Sequence, residues 1–383
     1  MATWHVFTGE YPPQIGGVSD FSYLISWGLA AAGDEVHVWC PLTEADTPEA
    51  PGVVVHQELG TLTPSDLLRA GRVLDRFPGP RRIFVQWVPH SYGYRSLNLP
   101  FCVWLLARAR FSRDEVQVMV HEPYLGFKPK AWRQNAAAAV HRLMTVVLLR
   151  AARKVWVSTP LWAERWRPYT LGRRVPFEWL PIPSNIPLGD PVTAAMIRAR
   201  HAPAAGDWLI GHFGTYGRPI SHALHALIPE LLAGAENRTL LLLGRGSLLF
   251  EEELVRLHPE LEGQVLASGP LSSESLAAHL LACDLMVQPY PGGGVNARRS
   301  SVMAVLKQGV AVVTDRGILT ETFWTETGGA ALVTAEGPTP WKSEVDALLR
   351  DDARRARLAG AGRALYQSRF AIEHAVAALR GEP

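Results

Sequence analysis

Two runs of strand-then-helix alternation, parted by a proline-dense stretch, constrain this chain more than any other feature. In the first run, apolar segments at 4–8, 35–39, 52–56, 82–87, 116–121 and 154–158 read as buried strands. Helical patterns fall between them, as at 64–77 and 132–152. Past the proline-dense stretch the alternation resumes, with strands expected at 208–213, 239–243, 264–267, 285–288 and 310–314. Such alternation in both halves implies an α/β protein with two open, doubly wound parallel sheets, each covered by helices on both faces.

The intervening residues 174–201, "RVPFEWLPIPSNIPLGDPVTAAMIRARH", carry Pro176, Pro181, Pro183, Pro187 and Pro191. Proline at that density opposes long helices and central strands, so the stretch is expected to be a stiff connector. A length of 383 residues is too great for one ordinary core. The expected division is 1–180 and 181–365, with a terminal helix in 366–383 packing back on the first domain. Hydrophobic content of 48% and charged content of 19% fit a folded globular chain. With 38 basic and 36 acidic residues the net charge is +2, and no nucleic-acid partner is expected.

Cys40, Cys102 and Cys283 are too scattered for a zinc site or a disulfide framework. The opening residues lack the pattern of a signal peptide, and no uncharged apolar run reaches spanning length; a cytoplasmic location is expected. The stretch "AVHRLMTVVLLRAARKVWV" has two readings, a peripheral contact with an anionic inner membrane face or an interior helix with a solvated basic edge.

Glycines mark the candidate sites. Gly16-Gly17 stands between the first strand and a helix that Ser19 can cap, which Gly33 then stops. A turn of that kind brings backbone N–H groups and the positive helix end against a ligand, usually phosphate, though a plain tight turn looks the same. Gly244-Arg245-Gly246 follows the apolar "TLLLL", and no P-loop sequence occurs. Residues 281–315, "LACDLMVQPYPGGGVNARRSSVMAVLKQGVAVVTD", carry the strongest signal. They read as a strand, a three-glycine loop, a helix opening near Ser300-Ser301, Gly309 as terminator, and another strand. Arg298 and Arg299 stand at that helix start, where cations oppose the dipole, and a docked polyanion would resolve the conflict.

The Gly-Gly turn, "ACDLMVQP" before the glycine loop and "KQGVAVVTD" after it resemble glycosyltransferase family 4. So do "LPIPSNIP", "SGPLSSESLAAHLLACD" and "SRFAIEHAVAAL", and together they span nearly the whole chain. The resemblance implies the GT-B fold, two Rossmann-like domains facing a cleft. It also implies transfer of a sugar from a UDP- or GDP-sugar co-substrate, with retention, to a saccharide, lipid-linked or small-molecule acceptor. No other cofactor is implied. By the same likeness Gly16 and Gly17 lie near the donor phosphates, and His121 of "VMVHEPY", followed by Glu122, lies near the transferring sugar. Gly293, Gly294, Arg298, Arg299, Ser300 and Ser301 fall at the diphosphate.

The departures are specific. The family's Glu-x7-Glu falls on Asn296 and Ala304; asparagine keeps a hydrogen-bonding side chain, whereas alanine has none for a ribose. "GHFGTYGRPIS" offers Gly214 and Arg218 where the family has Gly-Arg…Lys. Charge neutralisation is then expected from Arg218, Arg245 or Arg298. With no Asp-x-Asp in the chain, no metal is expected at the diphosphate. Trp87, Pro89, His90 and Tyr92 are candidates for the acceptor side. A non-catalytic GT-B protein and a GT-B sugar-nucleotide epimerase are the alternatives.

Overall fold

The computed structural model describes residues 1–43, 50–334 and 337–382. The strands are β1 Thr3–Thr8, β2 Glu35–Trp39, β3 Val53–His56, β4 Arg82–Trp87, β5 Glu115–Val120, β6 Lys154–Val157 and β7 Phe177–Trp179, then β8 Trp208–Phe213, β9 Arg238–Leu243, β10 Val265–Ala267, β11 Leu285–Gln288, β12 Val312–Asp315 and β13 Ala331–Val333. The first helices are α1 Gly17–Ala31, α2 Pro64–Leu74, α3 Leu99–Ala107, α4 Trp132–Ala151 and α5 Pro160–Trp166. They are followed by α6 Pro191–His201, α7 Arg218–Leu232, α8 Ser247–Leu257, α9 Ser273–Ala282 and α10 Ser300–Gln308. The last are α11 Phe323–Thr327, α12 Pro338–Arg350, α13 Asp352–Arg369 and α14 Ile372–Arg380.

The chain forms two compact units, Met1–Ile182 with Ile372–Pro383, and Pro183–Ala371. In the first, seven parallel strands run in the order β3-β2-β1-β4-β5-β6-β7. Alternation along each strand builds a core on each face. Trp4, Val6 and Phe84 join one cluster, while Phe7, Ile83, Val85 and Trp87 join the other. On the first of these faces α14 packs against α1, and Gly28 is small where Val376 and Ile372 approach.

The second unit has six parallel strands in the order β10-β9-β8-β11-β12-β13. Ile210, Leu240, Leu242, Val287 and Val313 meet the apolar faces of α7 and α12 in its core. Both sheets reverse their winding beside their first strand, at β1/β4 and at β8/β11. In open α/β sheets the carboxyl end of that reversal is where ligands bind.

The proline-dense stretch holds more structure than its composition suggests. Phe177–Trp179 is an edge strand that among the described residues pairs only with β6, so the flanking prolines interrupt no second ladder there. Pro191–His201 is an 11-residue helix, since Asp190 caps it by accepting from the Thr193 N–H at 2.7 Å and Pro191 sits in the first turn, where its missing N–H costs nothing. Ser19 lies inside α1, its hydroxyl donating to the Gln14 carbonyl at 2.6 Å, and Gly16 is the N-cap. The helix stops as the spacing predicts: Gly33 takes φ 88° and Asp34 N–H donates to the Leu29 carbonyl.

Candidate functional site

At the carboxyl edge of the first sheet, the loops after β1 and β4 touch. A Cβ on Gly9 would lie 2.3 Å from the Ser91 carbonyl oxygen, so only glycine fits there. Beside it the Ser91 hydroxyl donates to Glu10 Oε1 at 2.5 Å, and the other Glu10 oxygen lies 2.7 Å from where a Gly16 Cβ would be. Gly16 is extended, so the Glu10 carboxylate, and not its own dihedral angles, sets its size limit. Gly17 differs: space beside it is open, its φ is not positive, and no side chain caps the first turn of α1. Neither packing nor backbone conformation requires glycine at position 17.

His121 follows β5 and is buried, with Nε2 2.8 Å from Gln86 Oε1 of β4. Its ring meets the edge of Phe21 in α1 at 5.0 Å, which places it close to the first turns of that helix. Trp162 Nε1 donates to its carbonyl at 3.0 Å, so ring and backbone are both held. Gln86 is fully buried, and its Nε2 has no hydrogen-bond partner among the described residues. Glu122 is exposed at the strand end. Trp87 and Tyr92, candidates for an acceptor surface, are instead fully buried and stacked at 5.4 Å. The Tyr92 hydroxyl donates to the Gln86 carbonyl at 2.7 Å, so the polar end of that ring serves the core as well.

At the carboxyl edge of the second sheet, the loops after β9, β8 and β11 lie side by side because those strands are neighbours. Gly244, at φ 104°, has the Gly214 carbonyl 2.5 Å from its Cβ position, which joins the first two loops. Arg218 opens α7 and Arg245 sits between Gly244 and Gly246; both are exposed and neither is ion-paired among the described residues.

The loop after β11 is fixed by backbone contacts. Gly294, at φ 72°, packs so closely that a Cβ would sit 2.1 Å from Gly317 N, in the loop after β12. Gly293 accepts from Leu319 N–H at 3.0 Å, and Glu321 accepts from Ala297 N–H at 3.2 Å. The Asn296 side chain is spent on its own loop, its amide donating to the Gly294 carbonyl and its oxygen accepting from Arg298 N–H, each at 3.1 Å. Ala304 is fully buried on the inner face of α10. Arg299 is the N-cap of α10, which has no side-chain cap, and Ser300 and Ser301 open its first turn. Tyr290 N–H donates to Asp315 Oδ1 at 2.7 Å, and the burial of that carboxyl raises its pKa.

Two polar residues at the β8/β11 reversal gave no signal in sequence, because they sit in apolar runs. His212 is buried with Nδ1 2.8 Å from the Val287 carbonyl, a contact in which Nδ1–H must donate. Its Nε2 is then a bare acceptor, without a partner among the described residues and 3.2 Å from the Gly214 Cβ position. Burial pushes its pKa down to about 4, so the ring is neutral at pH 7. Gln288 is also buried, and neither side-chain polar atom has a partner among the described residues. Buried amide groups are nearly always paired, so unpaired ones clustered at a sheet reversal suit a ligand site.

Among the described residues no group of three or more His, Cys, Asp or Glu is placed to hold a metal ion, and no helix is long and apolar enough to cross a membrane. The three cysteines are buried and free.

No protein-family model and no curated protein matches the chain. Solved structures do. The Anabaena Alr3699/HepE protein, crystallised with UDP, is similar at TM-score 0.69 and 16% identity, with 100% of this chain and 99% of that one covered. Sucrose-phosphate synthase from Thermosynechococcus elongatus is similar at TM-score 0.68 and 18% identity, covering 100% and 98%. WaaG, a glycosyltransferase involved in lipopolysaccharide biosynthesis, is similar at TM-score 0.64 and 16% identity, covering 98% and 100%. At such identities the likeness is one of fold. The chain has the GT-B fold, built from two parallel-sheet α/β units.

Proposed function

We propose that the protein is a retaining glycosyltransferase that moves a sugar from a UDP-sugar to an acceptor hydroxyl. The observation that carries this reading is the opening of α10. An uncapped helix N-terminus follows a glycine-rich loop and is flanked by Arg298, Arg299, Ser300 and Ser301, at the carboxyl edge of the second sheet. N–H groups, serine hydroxyls and guanidinium groups together form a diphosphate cradle that stabilises the leaving group as the sugar–phosphate bond breaks. Arg218 and Arg245 add positive charge on the two adjacent loops. His212 Nε2 and the Gln288 amide lie buried and unpaired beneath that edge, at the β8/β11 reversal.

In the first unit, Gly16 and Gly17 take the donor phosphates by the family likeness, and His121, oriented by Gln86, serves the transferring sugar. Glu122 stands beside it, open to solvent. UDP is favoured over GDP by the neighbour solved with UDP. No metal has a part in this mechanism, because helix N–H groups and arginines supply the charge that a divalent ion would bring.

The test is turnover of a panel of UDP-, GDP- and TDP-sugars, with and without EDTA. Slow hydrolysis or transfer from a UDP-sugar that survives EDTA supports the proposal, and product of retained anomeric configuration by NMR supports the stereochemistry. Total loss in EDTA, restored by manganese, contradicts metal independence. A second reading, a non-catalytic nucleotide-sugar binder, is favoured by the Asn296 side chain being spent on its own loop and by the burial of Ala304. UDP binding without turnover of any donor would select it.

A further inference from the structure

The amino edge of the first sheet, opposite the edge that carries His121 and Gly17, holds a second recess. It is a cavity of about 560 Å³ whose lining includes Arg110, Arg113, Arg150, Arg153 and Arg173. Two carboxylates border it, and both are already engaged. Asp114, with its side chain wholly buried, lies 3.1 Å from Arg81 and 2.7 Å from Arg108. Glu115 lies 3.3 Å from Arg153. Setting Arg153 aside, Arg110, Arg113, Arg150 and Arg173 bring uncompensated positive charge to one concavity.

The backbone here is unusual as well. Residues Arg108–Ser112 widen into a π-turn after α3, a device that recurs at functional positions. Arg113 closes that turn at φ 57°, in the left-handed region where glycine or asparagine is less strained. Its side chain makes no hydrogen bond or ion pair among the described residues, so no polar contact within the fold accounts for an arginine there. Arg173 donates to the Leu149 carbonyl and so is held in place. Burial first, and then the fields of Arg150 and Arg110, keep its pKa below the ordinary arginine value. Clustered like charges cost stability in the free protein, and an anion that bridges them removes that cost.

We propose that this recess is a binding site for a compact group bearing two or more phosphates, separate from the nucleotide-sugar site. Guanidinium forks match phosphate oxygens two at a time, and several forks on one recess suit a multiply charged group better than a single carboxylate. Two sources share this chemistry: a free polyphosphorylated metabolite, or a phosphorylated lipid headgroup. The second would place Phe111, 87% exposed and adjacent in the chain to Arg110, against the acyl region. Arg150 belongs to α4, the helix whose basic edge stands out in the sequence.

The experiment uses the full chain and its Arg110→Gln/Arg150→Gln variant, in which both substituted residues are exposed. Inorganic triphosphate is titrated into each by calorimetry at two salt concentrations with saturating UDP present to fill the other site, and UDP alone is titrated as a control. The expected result is triphosphate affinity about tenfold or more lower in the variant, falling with salt in the wild type, while UDP affinity is unchanged. Sedimentation with phosphatidylcholine vesicles, with and without phosphatidylinositol 4-phosphate, distinguishes the sources. Phosphoinositide-dependent sedimentation lost in the variant identifies a lipid headgroup, and triphosphate binding without sedimentation identifies a soluble ligand. In phosphate-free buffer the variant should melt at or above the wild-type temperature. Triphosphate binding equal in the two proteins, or a variant that melts several degrees lower, overturns the proposal.

Discussion

The guanidinium of Arg299 lies over the ring of Tyr290, 4.5 Å from its centroid. The Tyr290 hydroxyl is in turn 2.7 Å from Ser301 Oγ, and burial pushes the phenol pKa up to about 12, so it stays protonated. Tyr290 therefore fixes a cation and a serine beside the first turn of α10. Arg299 Nε is buried and has no hydrogen-bond partner among the described residues.

Arg299→Ala should lower UDP affinity by about 10- to 100-fold, the worth of one charge-assisted hydrogen bond to phosphate. Arg299→Lys should recover only part, because a point charge does not reproduce the flat fork stacked on Tyr290. Calorimetric titration of UDP checks both; unchanged affinity in the alanine variant would remove Arg299 from the site.

His121→Ala should lower kcat by about 100-fold, with UDP affinity changed by less than about twofold, since the ring is assigned to the transferring sugar. Gln86 acts through His121. Gln86→Leu should lower kcat and move the pH–rate profile, because the imidazole loses the partner at Nε2; Gln86→Glu should retain more activity. A leucine variant with an unshifted profile would make Gln86 merely structural.

Gly17→Ala should fold normally, with stability equal to or about 0.5 kcal/mol above wild type, because the added methyl enters open space and restricts the unfolded chain. If a ligand approaches this backbone, the same methyl should weaken donor use severalfold. Gly294→Ala should instead destabilise the second unit, since its Cβ would lie 2.1 Å from Gly317 N. Thermal melts and donor KM values separate the two; a Gly17→Ala enzyme with wild-type kinetics would reduce that glycine to an ordinary turn.

Acid should unfold the first unit through a histidine cluster. His5, His37 and His56 stand on adjacent strands, with His37 Nδ1 and His56 Nε2 3.0 Å apart and the Trp39 indole N–H donating to His5 Nδ1 at 3.2 Å. Burial, then the neighbouring His37, His56 and Arg81, pushes the His5 pKa down to about 3, and burial lowers that of His56. Glu35 and Glu58 oppose these shifts from the same face without reversing them. The folded state therefore favours the neutral rings of His5 and His56. Their contribution to stability is complete above the unfolded value near 6.5, and falls as pH drops from there toward 3. His5 alone should remove about 1.4 kcal/mol per pH unit in that window. Urea melts at pH 7 and 5 of wild type and His5→Gln check this: the variant should lose less stability on acidification, and equal losses would contradict the assignment.

Much of this architecture is legible in the sequence, because buried parallel strands are short apolar runs and helices show their period. The boundaries of α10 are read directly, Gly309 ending it at φ 72° as a left-handed cap. The stretch 174–201 is less legible, since proline composition does not distinguish a connector from an edge strand and a helix that begins at proline. The burial of Trp87 and Tyr92 leaves no mark in the sequence for a similar reason, aromatic rings suiting cores and sugar faces equally. The pairing of His121 with Gln86, 35 residues apart, depends on strand register and leaves no local mark. His212 and Gln288 look like strand residues, and only the sheet order places them at the reversal.

The central claim is that the donor diphosphate rests on the first turn of α10. A crystal structure of the full chain with UDP tests it most directly. The account predicts diphosphate oxygens within hydrogen-bond distance of the Ser300 and Ser301 N–H groups and of the Arg299 guanidinium. UDP bound elsewhere, with residues 292–301 making no contact to it, would contradict it.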